Sequence, residues 1–361
     1  MKHSYSVWCS TLCAARLLAL APLDIAAQAP MAAPPGWEWR PVDPASGPLR
    51  VLLIYDMEGL SGIDRLAMTR CSFPQEYAAG QDRLVADVNA VIEGVAAAGV
   101  ATIDVIDRHG SGCDETPDLP AARLDRRARY VDERARALFP RIMQHEWDAV
   151  ALVGGHASPG HQGFLEHVGS FGIERVINGV SVCESEQQAL GFGSKGIPIT
   201  FASGDDRYAA QLRERMPWVT FVEVKRATSR TSAELRPPAE VRAALVAQVK
   251  IAVARRDRAK SMALLPPFTG AYRPVWPNAL ELLAAIPGVD ISSGEIRVSG
   301  ATPRAVNDAI NRIATLVNGI SIAEAHREAV SREGEKRDRF RDSLFMARWS
   351  VGPPTQKRPP R

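Results

Sequence analysis

This chain has little excess of charge of either sign. Its 44 Lys and Arg face 41 Asp and Glu, a formal net charge of +3. So small an excess argues against a nucleic-acid or anionic-membrane partner, and no basic stripe with interleaved aromatics is present. Cysteine is sparse too: with Cys9 and Cys13 in the N-terminal stretch, the remaining Cys71, Cys113 and Cys183 are odd in number, widely spaced, and make no disulfide framework. Two catalytic signatures are missing. "HEWDA" at His145 lacks the second histidine of H-E-x-x-H, and there is no G-x-S-x-G elbow. Nor is any apolar run long enough for a comfortable membrane span of roughly 20 residues. The longest follows Lys2 and His3, is broken by Arg16, and leads to "IAAQA" (Ile25 to Ala29), whose small residues suit signal-peptidase cleavage. Residues 1–29 therefore read as an export signal, which places the mature protein in the periplasm or outside the cell.

What is present is the composition of an ordinary globular protein, 46% hydrophobic and 24% charged, with length for a substantial core. Residues 30–48 are Pro-rich and aperiodic and read as a linker. From 49 to 262 strands and helices alternate. Apolar runs at Val51–Tyr55, Ala101–Asp107, Asp148–Gly155, Ile197–Asp206 and Trp218–Val224 predict strands. Leu84, Val88, Val91, Ile92 and Val95 recur at helical spacing before Gly99, and helices are predicted over about 206–216 and 238–258. The rhythm predicts an α/β fold with a largely parallel sheet flanked by helices. Residues 263–320, with strands near 272–275 and 295–300 and helices near 279–285 and 303–317, read as a smaller α+β subdomain. Residues 321–361 read as a charged C-terminal tail.

The chemistry-bearing residues gather at predicted strand ends. "VLLIYDMEGLSG" (Val51 to Gly62) sets Asp56 and Glu58 one residue apart, so strand alternation points both to one side and Met57 to the other. Two such acids repel unless a cation, hydrogen bonds or water compensates; a solvated acidic turn is the simpler alternative. The next strand ends in Asp107, Arg108 and His109, and "DAVALVGG" is followed by His156, His161 and His167. In an open α/β sheet, ligands bind beyond the carboxyl ends of the strands. Carboxylates with imidazoles suit zinc, and sites rich in acids commonly hold two ions.

The ordered set "YDMEGLSGI", "DRHG", "GGHASPG", "EH", "INGVSVCESEQQAL", "ASGDDR" and "VKRATSR" resembles the bacterial zinc-dependent D-aminopeptidases, a self-compartmentalising family, over about residues 50–320. The resemblance implies two zinc ions per chain, with Asp56 bridging, Glu58 and His156 completing one site, and His109 and Glu184 the other. It gives His167 the catalytic role, short peptides with a D-residue as substrates, and a homo-oligomer, the family's decameric ring. Ile54 stands where the family usually has Ser, and Arg108 replaces the Ser of "DSH"; both bear on the pocket rather than on a ligand.

Other residues have simpler readings. Cys113 and Cys183 could be soft ligands but suit buried packing better. His161 reads as a loop residue, Asp205 and Asp206 as helix caps, and Lys225 as a solvated strand-end lysine or a partner for a substrate carboxylate. Two rival functions stay open: another two-metal hydrolase, such as an amidase or phosphoesterase, and an exported binding protein that holds a metal or peptide without turnover.

Overall fold

The computed structural model describes residues 32–110, 118–131, 147–169, 173–274, 290–292 and 295–314. The export signal, Cys113, His145, the helix expected near 279–285 and the C-terminal tail lie outside these.

The short strand β1 (Trp37–Pro41) is followed by β2 (Arg50–Tyr55), an interior strand of the seven-stranded main sheet. β2 runs parallel to β3 (Thr102–Asp107) on one side and to β5 (Ala149–Gly155) on the other; Leu53 lies opposite Val105 and Ala151. A strand with parallel neighbours and both faces covered must be apolar throughout, which is why Val51 to Tyr55 lack the polar alternation of a half-exposed strand. β8 (Ile199–Asp205) and β9 (Thr220–Ser229) continue the parallel set. β4 (Arg129–Tyr130) closes one edge, and β10 (Ser232–Leu235) turns back antiparallel on the other.

Each face is sealed by helices whose apolar spacing matches it. Leu84, Val88, Val91 and Val95 of α1 (Pro74–Ala96) pack with Val51, Leu53 and Tyr55. On the opposite face lie Phe192 of α2 (Glu184–Gly193) and Leu212 of α3 (Asp206–Arg215), packed with Leu52, Ile54 and Leu152. The first face is completed by Leu245 and Val249 of α4 (Pro238–Ala254). Full burial of each such side chain contributes roughly 1.5–3 kcal/mol.

Two parts of the chain depart from the expectation. The stretch expected to be an aperiodic linker contains β1, paired antiparallel with β11 (Lys260–Leu264). Two tryptophans, one buried and one partly buried, hold it there. Trp37 is 3% exposed and donates Nε1 to Ile177 O at 3.3 Å, and Trp39 meets Trp218 edge-to-face at 5.3 Å. The sheet expected within 263–320 is also not confined to that span. Its strand β12 (Phe268–Pro274) lies between β14 (Glu295–Gly300) and β6 (Ile173–Ile177), with β7 (Val180–Val182) and β13 (Asp290–Ser292) at the edges. The hairpin of β6 and β7 thus comes from the stretch before α2. The cysteines depart as well: Cys71, left outside any framework by spacing, is disulfide-bonded, while Cys183 is a free buried thiol.

Close backbone contact fixes the carboxyl edge of the sheet. Gly59 donates its N–H to Gly154 O at 2.8 Å, and a Cβ on Gly59 would lie 2.0 Å from Gly155 O. Gly154 itself holds φ at +81°, a conformation glycine adopts without steric cost. The turn after β2 is thereby pressed onto the end of β5. Gly59→Ala is expected to destabilise the fold by about 1–3 kcal/mol. A urea unfolding midpoint equal to that of the native protein would contradict this contact.

Candidate metal centre

The six residues singled out from the sequence converge at this edge in two groups. Asp56, Glu58 and His109 bring one ligand atom each within 4.8 Å of one another, and His156, His167 and Glu184 do the same. Asp56 also faces the second group, its Oδ2 lying 3.4 Å from His156 Nε2. β2 ends at Tyr55, and the turn beyond preserves the expected sidedness: Met57 is buried in the apolar cluster while Asp56 and Glu58 share the polar side.

Within these groups the partners differ from the pairing implied by the resemblance. His109 Nε2 lies 3.1 Å from Glu58 Oε1, and Glu184 is grouped with His156. His167, to which the resemblance gives the catalytic role alone, stacks on His156 with ring centroids 4.1 Å apart and 9° between planes. Its Nδ1 is 2.8 Å from Leu165 O, so Nδ1 carries the proton and Nε2 the lone pair.

Local structure positions each ligand. Leu165, at φ +51°, turns the loop so that His167 faces His156. Glu166, 1% exposed, accepts from the N–H groups of Gly160 and Gly163 and from Arg230 Nε, fixing the loop from within. Glu184 opens α2 and accepts from Gly169 N at 2.6 Å. Asp118, which sequence reasoning missed, orients His109. Its Oδ2 is 3.1 Å from His109 Nδ1 and its Oδ1 accepts from Tyr77 OH. Asp118 lies in a Pro-flanked loop with no periodic signal; only the carboxylate–imidazole logic of metal sites could have prompted a search for it.

The electrostatics favour a cation. Burial and the Glu58 charge push the Asp56 carboxyl well above its ordinary range. Burial acts the same way on Glu58, but the His109 imidazole beside it holds it well below. Burial would lower both His109 and His156, yet the adjoining acids raise His109 well above its ordinary value and carry His156 up to about 10. The acids therefore hold positive charge at these positions, as protons or as a metal. His167 is pushed down to about 4 by burial and by His156, which keeps it neutral.

Two atoms test the fit of a metal. Glu58 Oε2 is buried with no hydrogen-bond partner, and His156 Nε2 makes no hydrogen bond of good geometry, with Asp56 Oδ2 3.4 Å away. Leaving such an atom unsatisfied costs about 1–3 kcal/mol. A cation placed between carboxylate oxygens and imidazole nitrogens satisfies both, and that donor set suits zinc.

The remaining candidates fall outside the centre. His161 bonds Ser158 through Nδ1. Cys183 is the N-cap residue of α2. Asp205 caps α3 through Tyr208 N at 2.7 Å, and Asp206 accepts from Ala227 N at 2.7 Å. Lys225 is neither solvated nor open to a substrate. It is fully buried, and Nζ donates to Glu58 O at 2.5 Å and Ile63 O at 2.7 Å while lying 4.5 Å over the Phe164 ring. It ties together the turn that carries Glu58.

Because Asp118 fixes the tautomer and aim of His109, Asp118→Asn is expected to weaken zinc binding about 10- to 100-fold. Competition against a chromogenic chelator measures this, and an unchanged affinity would show that His109 is oriented without Asp118.

The comparisons with known proteins agree with this reading. The family model Peptidase_M55, described as D-aminopeptidase, matches residues 49–312. A D-aminopeptidase of Bacillus subtilis (strain 168) is 24% identical over 261 residues, 69% of this chain and 90% of that protein. In fold, the chain is similar to the Zn-dependent D-aminopeptidase DppA from Bacillus subtilis, a self-compartmentalizing protease, with a TM-score of 0.64 and 22% identity over 74% of this chain and 97% of that one. The family match spans most of the sequence and all six residues of the centre, so the chain belongs to the D-aminopeptidase family of peptidases and is a metallo-aminopeptidase.

Proposed function

We propose that the protein holds two zinc ions per chain and releases the N-terminal residue of short D-amino-acid-containing peptides, D-alanine foremost, outside the cytoplasm. The observation that carries this reading is the pair of ligand groups with Asp56 facing both and two buried ligand atoms otherwise unsatisfied. Asp56, Glu58 and His109 would hold one ion, and His156 and Glu184 the other, with Asp56 shared. Bound zinc supplies Lewis acidity toward a carbonyl oxygen and lowers the pKa of a coordinated water.

The chain's own groups do the rest. The free α-amine of the substrate is held at the acidic side of the centre, which limits cleavage to the first residue. His167, neutral and with Nε2 unprotonated, takes a proton from the attacking water and returns it to the departing amine. The Leu165 carbonyl holds the ring through Nδ1, so the transfer is confined to Nε2.

Export rests on the N-terminal signal and is supported by the Cys71 disulfide, a state that persists in oxidising compartments. Homo-oligomerisation into the family's ring assembly is the expected quaternary state; the B. subtilis neighbour is described as self-compartmentalizing.

Elemental analysis is expected to find about two zinc ions per chain. His156→Ala should lose zinc and activity together, whereas His167→Ala should lower kcat by about 10²-fold or more with zinc retained. A His167→Ala protein depleted of zinc would make His167 a ligand instead. A fusion of residues 1–40 to a reporter active only outside the cytoplasm should be active; a silent reporter with an intact N-terminus would place the enzyme inside the cell.

A further inference from the structure

A small pocket adjoins the ligand groups, lined by Asp56, His156 and Glu184, by Ile54 and Leu152, and by Arg108 just beyond the end of β3. Among the lining residues Arg108 brings the one guanidinium or ammonium group. Its backbone is pinned, with its N–H donating to Tyr55 O at 3.1 Å, so the side chain starts between the end of β2 and the ligand His109. Its apolar lining is buried: Ile54 is 4% and Leu152 3% exposed. Gln188, in the same lining, has Oε1 buried without a hydrogen-bond partner. An unsatisfied acceptor in a pocket beside the centre fits a ligand that donates there, as a peptide N–H does.

The charge pattern identifies the ligand. A substrate whose first peptide bond lies at the ligand groups carries its next functional group one residue further on. In a dipeptide that group is a carboxylate; in a longer peptide it is another amide. A carboxylate beside buried apolar lining is costly unless it is paired, and a planar guanidinium pairs with both of its oxygens at once.

Resting on the aminopeptidase reading above, we infer that Arg108 is the specificity-determining residue of this enzyme, binding the C-terminal carboxylate of a D-aminoacyl dipeptide and favouring dipeptides over longer chains. It is not a ligand and takes no part in proton transfer.

The test compares kcat/KM for D-Ala-D-Ala, its C-terminal amide, and D-Ala-D-Glu α-amide, whose only carboxylate is on the side chain, in the native holoenzyme, Arg108→Gln and Arg108→Lys. Arg108 is exposed, so the variants need no repacking of the core. The native enzyme is expected to prefer the free acid over both amides. Arg108→Gln should reduce that preference about 10- to 100-fold, the loss of one charge-assisted pair. The change should lie mainly in KM, and Arg108→Lys should restore part of it. A native enzyme that treats the D-Glu amide as well as the free acid would assign Arg108 to side-chain carboxylates and overturn the dipeptide assignment. A preference that survives in Arg108→Gln would overturn the proposal while leaving the aminopeptidase reading intact. A native enzyme inert toward all three peptides would overturn that reading, and this inference with it.

Discussion

Two carboxylates placed one residue apart beyond a buried parallel strand are the constraint around which this structure is organised. Asp56 and Glu58 cannot both ionise beside each other in an apolar setting without positive charge nearby. The fold supplies it in layers. His109 stands against Glu58 and His156 against Asp56, and the acids raise both imidazoles above their ordinary range. The same field attracts a divalent cation, which would take the place of a proton at His156 Nε2 and pair with Glu58 Oε2.

Holding like charges together needs a rigid backing. The turn bearing Glu58 rests on Gly154 and Gly155 through Gly59, where no side chain fits. Beneath it Lys225, pushed down to about 7 by burial, spends its hydrogen bonds on the carbonyls of Glu58 and Ile63. The loop carrying His167 is braced by Glu166, and His109 by Asp118. Glu58, His109 and His167 are thus each braced by a buried charged side chain from a neighbouring segment or loop. A centre so braced loses little freedom when a metal or substrate binds.

The central sheet was legible because parallel strands leave an unambiguous trace. Val51–Tyr55, Ala149–Gly155 and Ile199–Asp205 are apolar runs of strand length bounded by glycines or acids. The helical spacing of Leu84 to Val95 marked α1 in the same way. By contrast β1 was hidden because five residues among prolines carry too little pattern, and its partner β11 lies far away along the chain. The hairpin of β6 and β7 was hidden for a related reason. Its strands are short, and their place beside β12 is fixed by a register, Gly270 opposite Ile177, that no local window contains.

The sequence by itself determined which acids and imidazoles gather at this edge. Acids and imidazoles at the ends of successive apolar runs can gather only at one edge of a parallel sheet, since every such strand points the same way. The tertiary structure decided the pairing. That His109 meets Glu58, that His156 stacks on His167, that Asp118 stands behind His109 and that Lys225 is buried under the turn all depend on strand order and loop path. Those are long-range quantities, set by packing between segments far apart in the chain, and residue type and spacing carry no record of them.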